Sequence, residues 1–315
     1  MPEGQRFITD HTHGGIALSR RSFLGLAGAT VLSIAAGGLA GCAGADETSG
    51  GGSSGDSKTI TVAFVTNGKP TSFYKEDGKT PDGYDIDVIN AVAAKLTDYT
   101  FEFEGVDQPA VYAGLASNRY QIGLTNAFWT PERAENYLQP SQNIGATVLG
   151  FLTRKEHEGV KTLKEAADNH LRLCPILAGD GNYYVVEDYN KQNPNDQIEL
   201  KATDDPNAFV ESFGWVADGR YDLHVVPLQY YDALVTADDG AYHEYADQLS
   251  FRIIGATKTW SFMSKESADF EKVYSQALKE LKDEGKMSEF SKKWYGIDNF
   301  QYITDDSKTY NFIES

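Results

Sequence analysis

Residues 60–65 read Ile-Thr-Val-Ala-Phe-Val, a run with too few polar positions for a half-exposed strand, and predict a mostly buried one. Ile89, Val92, Ala93 and Leu96 then recur at helical spacing, on a helix that Asp85 is placed to cap. Residues 99–103 (Tyr-Thr-Phe-Glu-Phe) return to strand alternation. A short helix over about 110–116 and a strand over 120–124 follow. A second series of this kind begins near Leu171 and runs past Val225. Late in the chain Phe270, Val273, Tyr274, Ala277, Leu278 and Leu281 form one apolar stripe, with Gly285 where a helix stop is expected. Strands alternating with helices predict an α/β fold with a parallel sheet and right-handed crossovers. No repeat of solenoid type appears.

Ahead of this pattern lies a stretch without charge, residues 22–45, rich in Ala, Gly and Leu. About 20 apolar residues span a bilayer, so a transmembrane helix is one reading. The glycine content and the small-residue end favour a secretory signal. Ser19-Arg20-Arg21-Ser22-Phe23-Leu24 resembles a twin-arginine export signal, and Leu39-Ala40-Gly41-Cys42 resembles a lipobox. Together they imply a signal peptide over 1–41, cleavage before Cys42, diacylglycerol on its thiol and fatty acylation (palmitate) of its amine. Residues 42–57 then form the lipidated cysteine and a flexible Gly/Ser tether. Residues 51–55, Gly-Gly-Ser-Ser-Gly, match the nucleophile-elbow pattern, but a linker supplies neither the strand nor the helix that an elbow needs.

Composition adds bounds. The 315 residues suffice for two ordinary domains, and 41% apolar content supports a sizeable core. The net charge of −18 leaves no basic stripe for phosphates, which argues against nucleic-acid binding. With Cys42 lipidated, Cys174 stands alone and no intrachain disulfide is expected. The six histidines are scattered without metal-ligand spacing, so no metal and no cofactor are expected.

Four motifs stand in register along 58–300. They are Gly83-Tyr84-Asp85-Ile86-Asp87-Val88, then Tyr120-Gln121-Ile122-Gly123 with Thr130-Pro131-Glu132-Arg133, then Gly219-Arg220-Tyr221-Asp222, and the closing run from Phe270 to Trp294-Tyr295-Gly296. In this order they resemble the family 3 extracellular solute-binding proteins. The resemblance implies a type II periplasmic-binding-protein-like fold, two doubly wound α/β lobes joined by two hinge strands. Carried over, lobe 1 covers 58–150 and 255–315 and lobe 2 covers 151–254, with crossings near 148–152 and 252–256.

Arg133 is the sharpest candidate. It follows Thr130, a plausible N-cap, and Pro131, and a cation in a first helical turn is unfavourable unless an anion is near. Its planar fork suits a carboxylate, and the resemblance assigns it a ligand's α-carboxylate. Thr125 and Asn126 end the preceding strand, at the edge where open α/β sheets bind ligands. Phe128 stands where the family usually has Ser or Thr, which leaves only its backbone N–H. Gln108, Asn67 and Lys69 fall where many members place aromatics, implying a more polar pocket; exposed loop residues are the other reading. Asp180 and Gly181 align with a lobe 2 helix start that forms an anion-facing nest. The family's aspartate for the α-ammonium is replaced by Pro227, and Asp180 either supplies the missing carboxylate or simply caps its helix. Trp129, Tyr183 and Tyr184 line the cleft or belong to the core.

The resemblance implies the substrate-binding component of an ABC importer, a monomer anchored by Cys42 to the outer face of the cell membrane and serving a permease. Its ligand is expected to be a small polar amino acid or amino-acid-like carboxylate, cystine-like compounds included. The alternative is an enzyme of the same fold, dehydratase-like, acting on a small carboxylic acid.

Overall fold

A computed structural model describes residues 58–313; the export arginines Arg20 and Arg21 and the lipid-attachment Cys42 lie outside the described residues. β1 (Lys58–Val65) sends Ile60, Val62 and Phe64 into one core and Ala63 and Val65 into another, so its sequence is apolar almost throughout. It pairs in parallel with β5 (Tyr99–Val106) on one side and β6 (Ile122–Ala127) on the other. Between β1 and the first helix, β2 (Asn67–Gly68), β3 (Ser72–Tyr74) and β4 (Pro81–Asp82) form a small antiparallel sheet. α1 (Tyr84–Lys95), α8 (Ala268–Asp283) and α9 (Lys286–Tyr295) bury their apolar stripes on one face of the lobe 1 sheet. α2 (Gln108–Ala116) covers the other face through Val111 and Leu115.

Two local expectations are corrected. Asp85 does not cap α1. The chain enters that helix through Gly83, whose φ of 123° favours glycine and where a Cβ would collide with the Thr71 carbonyl, and Asp85 turns inward to 1% exposure. The strand expected over 120–124 instead runs Ile122–Ala127.

After α3 (Pro131–Asn136) the chain leaves lobe 1 along β7 (Gly145–Arg154). The second lobe follows as α4 (Leu163–Asp168), β8 (Ile176–Leu177), α5 (Gly181–Gln192), β9 (Ala202–Thr203), α6 (Ala208–Ala217), β10 (Leu223–Pro227) and α7 (Leu228–Tyr231). β11 (Leu249–Met263) returns. Outbound and return strands run in opposite directions, so β7 and β11 pair antiparallel from Gly145↔Thr259 to Arg154↔Leu249, with one register shift between Ile253 and Gly255. The parallel pattern expected from the sequence therefore holds for β1, β5 and β6 and for β8–β9, while β10–β7, β11–β7 and β11–β6 are antiparallel.

Lobe 2 has its own two-sided core. Leu149, Phe151, Leu163, Val185 and Val225 lie on one side, and Leu152, Cys174, Phe213 and Val226 on the other. The terminal strand β12 (Tyr310–Phe312) pairs with β11 at Gly255–Thr257, and both Tyr310 and Phe312 pack on the lobe 2 core. Among the described residues no helix is long and apolar enough to cross a membrane.

Candidate functional site

β6 ends in the cleft. Thr125 Oγ1 meets Tyr112 Oη at 3.0 Å, and Asn126, at φ 50°, accepts from Thr147 Oγ1 at 3.3 Å. Asparagine is one of the few side chains that tolerate this left-handed backbone. Thr130 then caps α3, its hydroxyl accepting from Arg133 N at 3.2 Å. Arg133 curls back so that Nη1 donates to the Phe128 carbonyl at 2.8 Å, and its guanidinium lies 5.8 Å from the centre of the Tyr112 ring. Among the described residues it forms no ion pair.

Lobe 2 approaches from the opposite side. Asp180 caps α5, accepting from Asn182 N at 2.7 Å. Burial raises its carboxyl, opposed by the Asn182 N–H and by the charge of Arg133. Gly181 is buried directly against Phe128; a Cβ there would stand 2.5 Å from the ring. Phe209 from α6, Pro227 at the end of β10 and Tyr230 from α7 complete the wall.

Between these groups lies a cavity of about 150 Å³. Gln108, Thr125, Asn126, Phe128, Arg133, Asp180 and Gly181 all line it. Sequence reasoning did not assign Asn182, Phe209 and Tyr230 to the site. Asn182 carried a signal, lying two residues past the Asp180 cap, whereas Phe209 and Tyr230 arrive from elements that only the tertiary fold brings here. A second cavity of about 510 Å³ adjoins across α7, which gives Tyr230 to the first and Leu228 and Gln229 to the second. Lys69 lines this one, with Asp232, Trp294 and Tyr295. Asn67 lines neither, because it is held in the β2–β3 ladder opposite Phe73. Trp129 and Tyr183 pack at core edges.

The remaining motifs are structural. Asp87 accepts from Lys293 Nζ and Trp294 Nε1, both at 2.6 Å, and ties α1 to α9. Asp222 holds two arginines, Arg154 at 3.0 Å and Arg172 at 2.8 Å. Among the described residues no group of three His, Cys, Asp or Glu could hold a metal. Cys174 is buried, and burial pushes its thiol well up.

Residues 60–297 match the family described as bacterial extracellular solute-binding proteins, family 3. The L-cystine-binding protein TcyJ of Bacillus subtilis (strain 168) is 22% identical over 241 residues, covering 76% of this chain and 85% of the relative. TcyA of the same organism, also an L-cystine-binding protein, is 23% identical, covering 76% and 82%. A solved structure from work on glutathione import via GshT and the cystine importer TcyBC of Streptococcus mutans superposes with a TM-score of 0.57 at 24% identity. It covers 79% of this chain and 98% of that one.

Proposed function

The chain belongs to the bacterial extracellular solute-binding proteins, family 3, and from that membership we propose that its cleft captures a small polar amino acid or amino-acid-like carboxylate for an ABC importer. The observation that carries this reading is Arg133, a half-buried cation without an ion-pair partner among the described residues, facing a small cavity shared by both lobes. A planar guanidinium so placed suits a carboxylate. Thr125, Asn126 and the backbone N–H groups of Phe128 and Gly181 surround the rest of the head group. The ligand's side chain extends toward the second cavity, where Lys69, Gln229 and Asp232 favour polar ends. A cystine-like compound is consistent with this and with the two Bacillus relatives.

Capture works by lobe closure, and the ligand leaves chemically unchanged. Lobe 1 is 58–150 with 255–315 and lobe 2 is 151–254, β12 reaching across to the second core. Export through Arg20 and Arg21 and lipidation of Cys42 hold the monomer at the outer face of the cell membrane, within tether reach of its permease.

Calorimetry on wild type and Arg133→Ala tests the reading. Removing one partner of a desolvated charge pair costs about 2–5 kcal/mol, which is roughly 30-fold to several-thousand-fold in affinity. The apo melting temperature should stay unchanged, since Thr130 still caps α3. Arg133→Lys should recover only part of the affinity, because a point ammonium lacks the fork. A loss below about threefold would make Arg133 an ordinary solvated residue. Conversion of the bound amino acid into product would instead support the enzyme.

A further inference from the structure

Among the described residues the most spacious cavity lies outside the cleft. It measures about 1170 Å³ and shares no lining residue with the two cleft cavities. One wall comes from α4, α5 and the residues just ahead of α4, all in lobe 2. The other comes from residues 304–313, which follow the end of the family match at 297. Ile254 of the crossing strand β11 lines it as well. We infer that this cavity is a second binding site, for a small oxygen-rich organic anion carrying carboxylate or phosphate groups. The site stands apart from the cleft and does not depend on which solute the cleft takes.

Donors are left over on both walls. Asn311, at 4% exposure, is fixed through Oδ1, which accepts from Asp305 N at 2.7 Å and from Thr304 Oγ1 at 3.3 Å. Its Nδ2 has no partner among the described residues, and neither does the buried Tyr189 Oη on the facing α5. Buried polar groups in this condition are costly to leave. Lys161 and Lys308, one on each wall, form no ion pair among the described residues. The acids of the same lining are already engaged. Asp188 accepts from Gln192 Nε2 at 2.7 Å, and Asp305 accepts from the N–H and hydroxyl of Ser307 at 2.9 and 2.6 Å. Lys164 is taken up by Asp168 at 3.1 Å and Asp196 at 2.8 Å. The unmet groups are therefore donors and positive charge, the complement of a carboxylate or phosphate.

The dimensions favour an organic anion over a bare ion. Ligand cavities run to roughly 300–1,000 Å³, and Leu163, Ile254 and Phe312 offer apolar surface to a carbon frame. The C-terminal wall is also preformed. Asn299 Nδ2 donates to the Ala146 carbonyl at 2.8 Å, Lys282 pairs with Asp306 at 2.9 Å, and β12 is held in register on β11.

Calorimetry on the full-length protein at fixed ionic strength, with citrate and glycerol 3-phosphate as probes, tests the site. At least one probe should bind saturably to wild type. Binding of citrate alone assigns carboxylates, and binding of glycerol 3-phosphate alone assigns a phosphate ester. Lys161→Gln combined with Lys308→Gln removes two exposed charges, so folding should be unaffected. The double variant should weaken the bound probe by about tenfold or more. Tyr189→Phe removes only a hydroxyl that has no partner among the described residues. Its apo melting temperature should match or exceed wild type, while the probe binds more weakly. Arg133→Ala should leave the probe unchanged. No saturable binding of either probe, or equal affinity in wild type and the double lysine variant, would overturn the inference. A probe lost on Arg133→Ala but kept by the double lysine variant sits in the cleft, which overturns this site and leaves the proposed function standing. Probe binding by a protein that captures no amino acid would remove the proposed function and keep this site.

Discussion

Asp85 lies in a motif that resembles the family, yet it lines neither of the two cleft cavities. At 1% exposure its carboxyl is pushed up to about 8 by burial. In the unfolded chain the same group titrates near 4. Between about pH 4 and pH 8 the folded state therefore keeps a proton that the unfolded state has released. The sign follows: this group makes stability fall as pH rises through that window. Asp85→Asn removes the titration with little change of shape. The melting temperature of the variant relative to wild type should rise steadily from about pH 5 to about pH 8. A flat difference across that range would mean that Asp85 is already ionised in the folded protein. His224 behaves in the complementary way. Burial holds its imidazole down to about 3, edge-on to Phe209 at 5.6 Å, so it stays neutral where the protein works.

At the scale of elements, Asp222 shows why a motif can be legible while its role is not. It starts the approach to β10 and receives Arg154 from the end of β7 and Arg172 from the segment before β8. The Arg172 backbone N–H also donates to it, at 2.9 Å. These donors, Arg172 first, hold its carboxyl far below the usual range. Its stabilising contribution is present above about pH 4 and is lost as pH falls toward that lower value. Asp222→Asn at neutral pH leaves two guanidinium groups facing a neutral amide, and because Arg172 is largely exposed the change should cost about 1–3 kcal/mol. A lower denaturant midpoint with an unchanged m-value is the expected result; an unchanged midpoint would show that the clamp adds nothing. β1, α1 and the α8 stripe were readable because each repeats its own period locally. β11 was not, since its 15 residues pass from one lobe's core to the other and no single pattern spans them. The same limit hid Phe209 and Tyr230, which reach the cavity only when lobe 2 stands opposite lobe 1.

For the whole molecule, the decisive contact is Phe128 against Gly181. The loop after β6 belongs to lobe 1, yet the Phe128 ring is 6% exposed and counts among the lobe 2 core. Tyr310, which packs on the lobe 2 core, donates its hydroxyl to the Trp129 carbonyl of the same loop at 2.8 Å. The lobes therefore meet at the position where the family pattern leads one to expect a ligand-binding hydroxyl. Phe128 exchanges that contact for apolar cover over the cavity. In the proposed closure, the approach of α5 to the ring is the limit, and Gly181 sets that distance. Gly181→Ala would place a methyl group 2.5 Å from Phe128, closer than packed atoms tolerate, without removing any polar group from the cavity. Alanine is the better helix former, so lobe 2 itself should fold as well or better. The variant should instead disfavour the closed arrangement, and apparent affinity scales with the closed fraction. A fall from about nine-tenths closed to about one-tenth weakens binding roughly ninefold. Small-angle scattering of the unliganded variant should show a larger radius of gyration than wild type, and saturating amino acid should restore most of the difference. If affinity and radius both match wild type, the Phe128–Gly181 contact yields without cost, and closure is governed by the ligand alone.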